Sequence, residues 1–185
     1  MSVINTLEEL NGLDVSGGGI LPFSFYNGEL YFLYGRENED IRWSDSGMWA
    51  DFGGAIDKNE SNIDGGIREF WEETNGIFGD IRLIKGYIYK NFDKLLVLYS
   101  EKNSNFSIFL PIQYDKKIEK QFINSIKYSK KLLNYDKKKI NNAIKNGLLE
   151  KDKIKWFSVK EIKKNINKFR ICNNDYTKFI IENFN

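Results

Sequence analysis

The stretch from Ser61 to Gly76, SNIDGGIREFWEETNG, constrains this chain more than any other. Ser61 followed by Asp64 has the form of a capping box, so the spacing predicts a helix opening there. Ile63, Ile67 and Phe70 fall at i, i+4 and i+7 and give that helix a stripe that faces a core. Gly65 and Gly66 lie inside it. Each costs about 1 kcal/mol relative to alanine in a helix interior, so close packing must offset them. Glu69, Glu72 and Glu73 share a neighbouring face, near enough for their carboxylates to converge. Arg68 can offset Glu72, its i+4 partner, and leaves the others unbalanced. The helix therefore calls for a cation, and a divalent ion meets the need.

Composition narrows what that cation and its chemistry can be. Histidine is absent from all 185 residues. This excludes Ser-His-Asp and Cys-His catalysis and histidine-ligated zinc. Proton transfer falls to Glu, Asp, Lys or Tyr, and a metal must be held by oxygen, which suits Mg²⁺ or Mn²⁺. Apolar residues make up 41% and aromatics 15%, enough to bury a core, and the length predicts a single domain over residues 1–185. The single cysteine, Cys172, forbids an internal disulfide and fits a reducing compartment. No apolar run is long enough to span a membrane, and residues 1–19 lack a signal-like pattern. Cytoplasmic residence is expected, with a nuclear one the alternative.

Along the chain, residues 1–16 read as an irregular lead-in. Gly19 to Glu37 reads as a hairpin turning at Asn27-Gly28. Asn38 to Phe52 reads as a polar loop carrying Trp43 and Trp49. Beyond the glutamate-rich helix, residues 80–103 and 106–114 are rich in Ile, Leu, Val and Tyr and predict two or three strands. Residues 116–146 turn helical, with Ile118, Phe122, Ile126, Ile140 and Ile144 at helical spacing and Gly147 as the stop. Ile154 to Val159 reads as a short strand, and 160–169 and 176–184 as helices. Strands alternating with helices argue for an α/β fold.

The net charge of +2 conceals a division. Residues 1–111 hold 9 Lys and Arg against 18 Asp and Glu, whereas residues 112–170 hold 18 against 6. An acidic part joined to a basic part suggests a metal at one and a polyanion at the other. A lysine-rich composition alone accounts equally well for the basic part.

Gly54, Glu60, Arg68, Glu69, Phe70, Glu72 and Glu73 reproduce the spacing G-x5-E-x7-R-E-U-x-E-E, with U apolar. In this the chain resembles the Nudix hydrolases. It departs from their pattern at Asn75, where the family has glycine, and Gly76 follows one place late. Asparagine tolerates the left-handed backbone that such a turn needs. The resemblance implies a mixed β-sheet sandwiched between α-helices, with residues 116–150 as a lysine-rich helical insertion before the last strand. It implies that Glu69, Glu72 and Glu73 hold Mg²⁺ or Mn²⁺, joined by the Gly53 carbonyl, with Glu60 as a further contact. Arg68 would brace the helix through Glu72. The implied activity is cleavage of a pyrophosphate bond in a nucleotide-derived substrate. The catalytic base would be Glu150, six residues before Trp156, or else Glu72 or Glu73. Arg36 is a candidate phosphate contact, and Trp43 and Trp49 are candidate stacking partners for a base. Lys130, Lys131 and their neighbours would suit RNA, which makes capped RNA the leading specific substrate. Dinucleoside polyphosphates, nucleotide sugars and diphosphoinositol polyphosphates are the enzymatic alternatives, and an inactive RNA- or protein-binding module is the other.

Overall fold

The computed structural model of the chain describes residues 1–39, 44–145, 147–170 and 174–184. Adjacent residues on its central strands enter different cores. Ile20, Leu33, Val97, Ile108 and Trp156 join one apolar cluster, while their neighbours Leu21, Phe32, Leu98, Phe109 and Phe157 join another. That period of two is what a sheet buried on both faces requires.

The strands are β1 (Ser2–Ile4), β2 (Gly17–Tyr26), β3 (Glu29–Glu37), β4 (Trp49–Ala50), β5 (Phe52–Ala55), β6 (Leu96–Ser100), β7 (Asn105–Pro111) and β8 (Lys151–Ser158). They form one sheet ordered β1-β6-β7-β2-β3-β4, with β5 also on β2 and β8 also on β3. The β2–β7 pairing is parallel and the other ladders are antiparallel, so the sheet is mixed. Strand β2 pairs β5 through Gly17 to Ile20 and β3 through Phe23 to Tyr26. The sheet therefore splits midway along β2, and β5 leaves it there to lead into the glutamate-rich helix.

The helices are α1 (Leu7–Gly12), α2 (Asn62–Glu73), α3 (Ile81–Asn91), α4 (Ile118–Leu132), α5 (Lys137–Lys145), α6 (Val159–Lys164) and α7 (Asn174–Asn183). Residues of α1 to α5 fill the first cluster, and residues of α6 and α7 the second. The fold is thus a mixed sheet between two helical layers. No helix among the described residues is long and apolar enough to cross a membrane.

Two expectations are corrected. Residues 1–16 contain β1, paired with β6, and α1, which buries Leu10 completely. Residues 81–91 form a helix rather than a strand, because Asp80 caps the Arg82 N–H and Ile84 and Ile88 turn one face inward. The hairpin stands where it was expected, with Asn27 and Gly28 at φ of 50° and 80° as a two-residue turn requires.

Candidate active site

Ser61 caps α2 by accepting a hydrogen bond from the Asp64 N–H, and Ile63, Ile67 and Phe70 are buried beneath it. Gly66 lies against the Phe106 ring, where a Cβ would stand 3.1 Å from Cζ. Gly65 has equally little room, since a Cβ there would come within 2.6 Å of Ile56 Cδ1. The helix thus packs close to the sheet at Gly66 and to the loop after β5 at Gly65.

Arg68 does more than pair with Glu72. Its guanidinium donates to Glu60 at 2.7 and 3.1 Å, Glu69 at 2.7 Å, Glu72 at 3.1 Å and the Ala55 carbonyl at 3.0 Å. The expectation of one partner fails because a planar fork can serve several acceptors at once. The Arg68 hydrogen bond holds the Glu60 carboxyl below its ordinary value, and the Asp57 N–H adds to it. Glu60 is therefore a brace for Arg68 in this arrangement. Burial raises the Glu69 carboxyl despite the opposing pull of Arg68.

Glu73 turns away from that group. One carboxylate oxygen lies 3.0 Å from Lys151 Nζ and the other accepts from the Gly53 N–H at 2.8 Å. Burial lifts its carboxyl well above the ordinary range, against the pull of Lys151. Glu37 completes the buried group. It lies 2.6 Å from the same Lys151 nitrogen and accepts from Arg170 at 3.0 Å.

Glu150 arrives from the opposite side. Asn38 pins the segment before β8, donating its N–H to the Glu150 carbonyl at 2.8 Å and its side-chain amide to the Leu149 carbonyl at 3.0 Å. Gly147 lies so near Glu72 that a Cβ there would stand 2.8 Å from Oε2. The Glu150 carboxylate is half-buried and makes no hydrogen bond or ion pair among the described residues. Burial raises it, Lys151 opposes, and Glu37 and Glu69 raise it further. The chain therefore brings Glu150 into the field of the helix carboxylates.

Other expected residues sit elsewhere. Arg36 is committed to Asp152 at 2.8 and 3.1 Å and to Glu39 at 2.8 Å. Trp49 is 8% exposed and packs edge-on to Phe157 with ring centroids 4.9 Å apart, so core packing takes the face expected to stack on a base. Trp43 lies outside the described residues. Lys130 and Lys131 close α4, and Lys131 is exposed. Lys151, Glu37 and Arg170 were not anticipated. Lys151 is one lysine in a lysine-rich region, and nothing in its neighbours marks it as buried.

Among the described residues, no three Asp, Glu or Cys side chains surround a common point as a metal cage would. The donor set nonetheless fits a hard divalent cation. Its groups are carboxylate oxygens, Glu69 and Glu150 are raised by burial, and the Glu150 carboxylate has no partner. A cleft of about 300 Å³ has Gly18, Gly53, Gly54, Asn103, Asn105 and Arg170 in its lining. A Cβ on Gly54 would stand 2.5 Å from Glu69 Oε2, so the cleft meets the Glu69 carboxylate at this residue.

No protein-family model matches the chain. It is 38% identical over 124 residues to an uncharacterised protein of Acanthamoeba polyphaga mimivirus, a match that covers 63% of this chain and 39% of that one. Among solved structures it is similar to a MutT protein from Methanosarcina mazei, at 16% identity and a TM-score of 0.45, over 90% of this chain and 91% of the other. It is also similar to an Ap4A hydrolase of C. elegans, at 14% identity and a TM-score of 0.42, over 91% and 99%.

Proposed function

We propose that the chain is a Nudix pyrophosphohydrolase that cleaves a nucleotide-derived substrate with Mg²⁺ or Mn²⁺. The observation that carries this reading is the carboxylate layer of α2, in which Arg68 gathers Glu60, Glu69 and Glu72 and Glu69 abuts Gly54 in the lining of an open cleft. Motif spacing places those carboxylates on α2, and an independent segment supplies a further carboxylate without a partner.

Glu69 and Glu72 would hold the ion with the Gly53 carbonyl, whereas Glu73, which the family resemblance adds to the set, is engaged by Lys151 and the Gly53 N–H. A bound divalent ion neutralises phosphate charge and polarises the bond to be cut. The chain's own groups do the rest. Glu150, with its raised carboxyl and no hydrogen bond among the described residues, takes the proton from the attacking water. Arg68 holds Glu60, Glu69 and Glu72 in one layer and fixes their orientation. Arg170 reaches the cleft lining and sets positive charge beside the substrate's anionic part.

Capped RNA is the specific substrate that one further observation favours. Tyr128 and Tyr135 are each 63% exposed and have no ring partner among the described residues. They stand among Lys127, Lys131, Lys137, Lys138 and Lys139, all exposed. Lysines neutralise phosphates and exposed rings stack on bases, which is what a single strand of RNA needs.

The test is incubation with Mg²⁺ or Mn²⁺ and a panel of capped RNA, dinucleoside polyphosphates, nucleotide sugars and inositol pyrophosphates. Released phosphate-bearing products are resolved by anion exchange. Metal-dependent cleavage of one class, lost on Glu69→Gln, is the expected result. Absence of cleavage across the panel by the folded protein would reject the enzyme in favour of a binding module.

A further inference from the structure

The buried lysine at the start of β8 has no role in the chemistry above. Lys151 is 1% exposed, and its ammonium lies between Glu37 at 2.6 Å and Glu73 at 3.0 Å. Its stem passes Gly35, where a Cβ would stand 3.0 Å from Lys151 Cγ, so the strand beside it is hollowed to admit it. Glu73 keeps its second oxygen on the Gly53 N–H at 2.8 Å. Both oxygens of Glu73 are therefore satisfied by the chain itself. The Glu73 side chain is 1% exposed, whereas those of Glu69 and Glu72 are 12% and 23% exposed.

We propose that Lys151 is a built-in counter-cation that holds Glu73 out of the ion-binding set and leaves the more exposed Glu69 and Glu72 as the helix carboxylates a divalent ion meets. This rests on the proposed function for the identity of the site, but the pairing itself does not. An ion binding at Glu73 would have to displace a buried ammonium. A buried charge stripped of a partner is costly, so displacement is disfavoured. Glu73 is then a positioning residue. It ties α2 to β5 through Gly53 and to β8 through Lys151, and so fixes the helix against the segment that carries Glu150.

Mn²⁺ binding, followed by the electron paramagnetic resonance of the free ion, tests the assignment without reference to turnover. Glu69→Gln should weaken Mn²⁺ affinity at least tenfold, whereas Glu73→Gln should change it less than threefold. Lys151→Met, which releases Glu73 while Glu37 keeps Arg170, should bind one more Mn²⁺ per chain than the wild type, and Lys151→Arg should not. Equal tenfold losses in Glu69→Gln and Glu73→Gln would overturn the proposal, as would unchanged stoichiometry in a folded Lys151→Met. Should the wild type bind no Mn²⁺, the functional reading fails. A thermal double-mutant cycle between Glu73→Gln and Lys151→Met then decides the pairing, since coupled losses support it and additive losses reject it.

Discussion

At Gly54 the absence of a side chain makes room for a carboxylate. The Glu69 carboxylate occupies the space where a Cβ would point, 2.5 Å from Oε2 and 2.6 Å from Cδ. Gly54→Ala should thus displace Glu69 rather than unfold the chain, because Glu69 can swing outward while the strand stays paired. Turnover should fall at least tenfold for a stability loss of about 1–3 kcal/mol, the usual cost of overpacking. Steady-state kinetics beside a denaturation curve would check it. Glu150 presents a different problem, a half-buried carboxylate with no hydrogen bond or ion pair among the described residues. Its folded carboxyl is raised above the ordinary 4.5, first by burial and then by Glu37 and Glu69. A raised acid favours the folded state while it is protonated, and that advantage is lost as pH rises through the folded value. Metal-free Glu150→Gln should accordingly match the wild type near pH 4 and become the more stable protein by pH 8. The gain should be roughly 2–4 °C for each kcal/mol recovered. Melting curves in EDTA across that range would detect it, and a less stable Glu150→Gln at pH 8 would show that Glu150 has a partner.

Among the elements, α4 and α5 separate packing from charge. Ile118, Phe122 and Ile126 turn α4 onto the sheet, so its lysines are left on the solvent side with Tyr128. Their substitution should spare the fold. If they hold an RNA chain, reversing Lys131, Lys137, Lys138 and Lys139 should weaken cleavage of long capped RNA and spare a cap dinucleotide. The log–log salt slope of binding should shrink by roughly one unit for each lysine lost. Equal effects on long and short substrates would return the lysines to a solvated face. The same helices show what a sequence reveals. Periodicity exposed α2 and α4 because their apolar stripes are clean, and Asn27-Gly28 exposed the hairpin because its turn demands positive φ. Helix α3 was hidden because Ile81, Ile84, Tyr87, Ile88 and Tyr89 have strand-forming side chains, and tertiary packing outweighed that preference. The glutamates of α2 were legible for the same reason as the helix. The buried group of Glu37, Lys151 and Arg170 was not, since it is assembled from β3, β8 and the segment after α6. The register that joins the two strands shifts between Arg36 and Glu37. No local pattern records such a meeting.

Over the whole molecule, the acidic first part and basic second part meet at this site. Glu37, Glu60, Glu69, Glu72 and Glu73 come from the first, while Lys151 and Arg170 come from the second. Arg68 is the single cation of the first part in this group, and Glu150 adds one more carboxylate. Among the described residues these six carboxylates are grouped with three cations, of which Arg68 is also shared with Asp57 at 3.9 Å and Arg170 with Asp45 at 2.9 Å. Folding has to hold this excess negative charge together, and an ion that binds only the folded state repays the cost by mass action. At an Mg²⁺ or Mn²⁺ concentration one hundred times its dissociation constant, the gain is about 2.7 kcal/mol. For a chain of this length that corresponds to a rise in melting temperature of roughly 5–11 °C, taking 2–4 °C per kcal/mol. The rise should vanish in Glu69→Gln, and EDTA should reverse it in the wild type. It should also be larger at pH 8 than at pH 5, because burial raises the Glu69 carboxyl and protonation there removes an ion-binding charge. A general salt effect would raise all variants alike and would follow ionic strength rather than the divalent ion. Equal stabilisation of wild type and Glu69→Gln would therefore remove the carboxylate cluster as the seat of the metal.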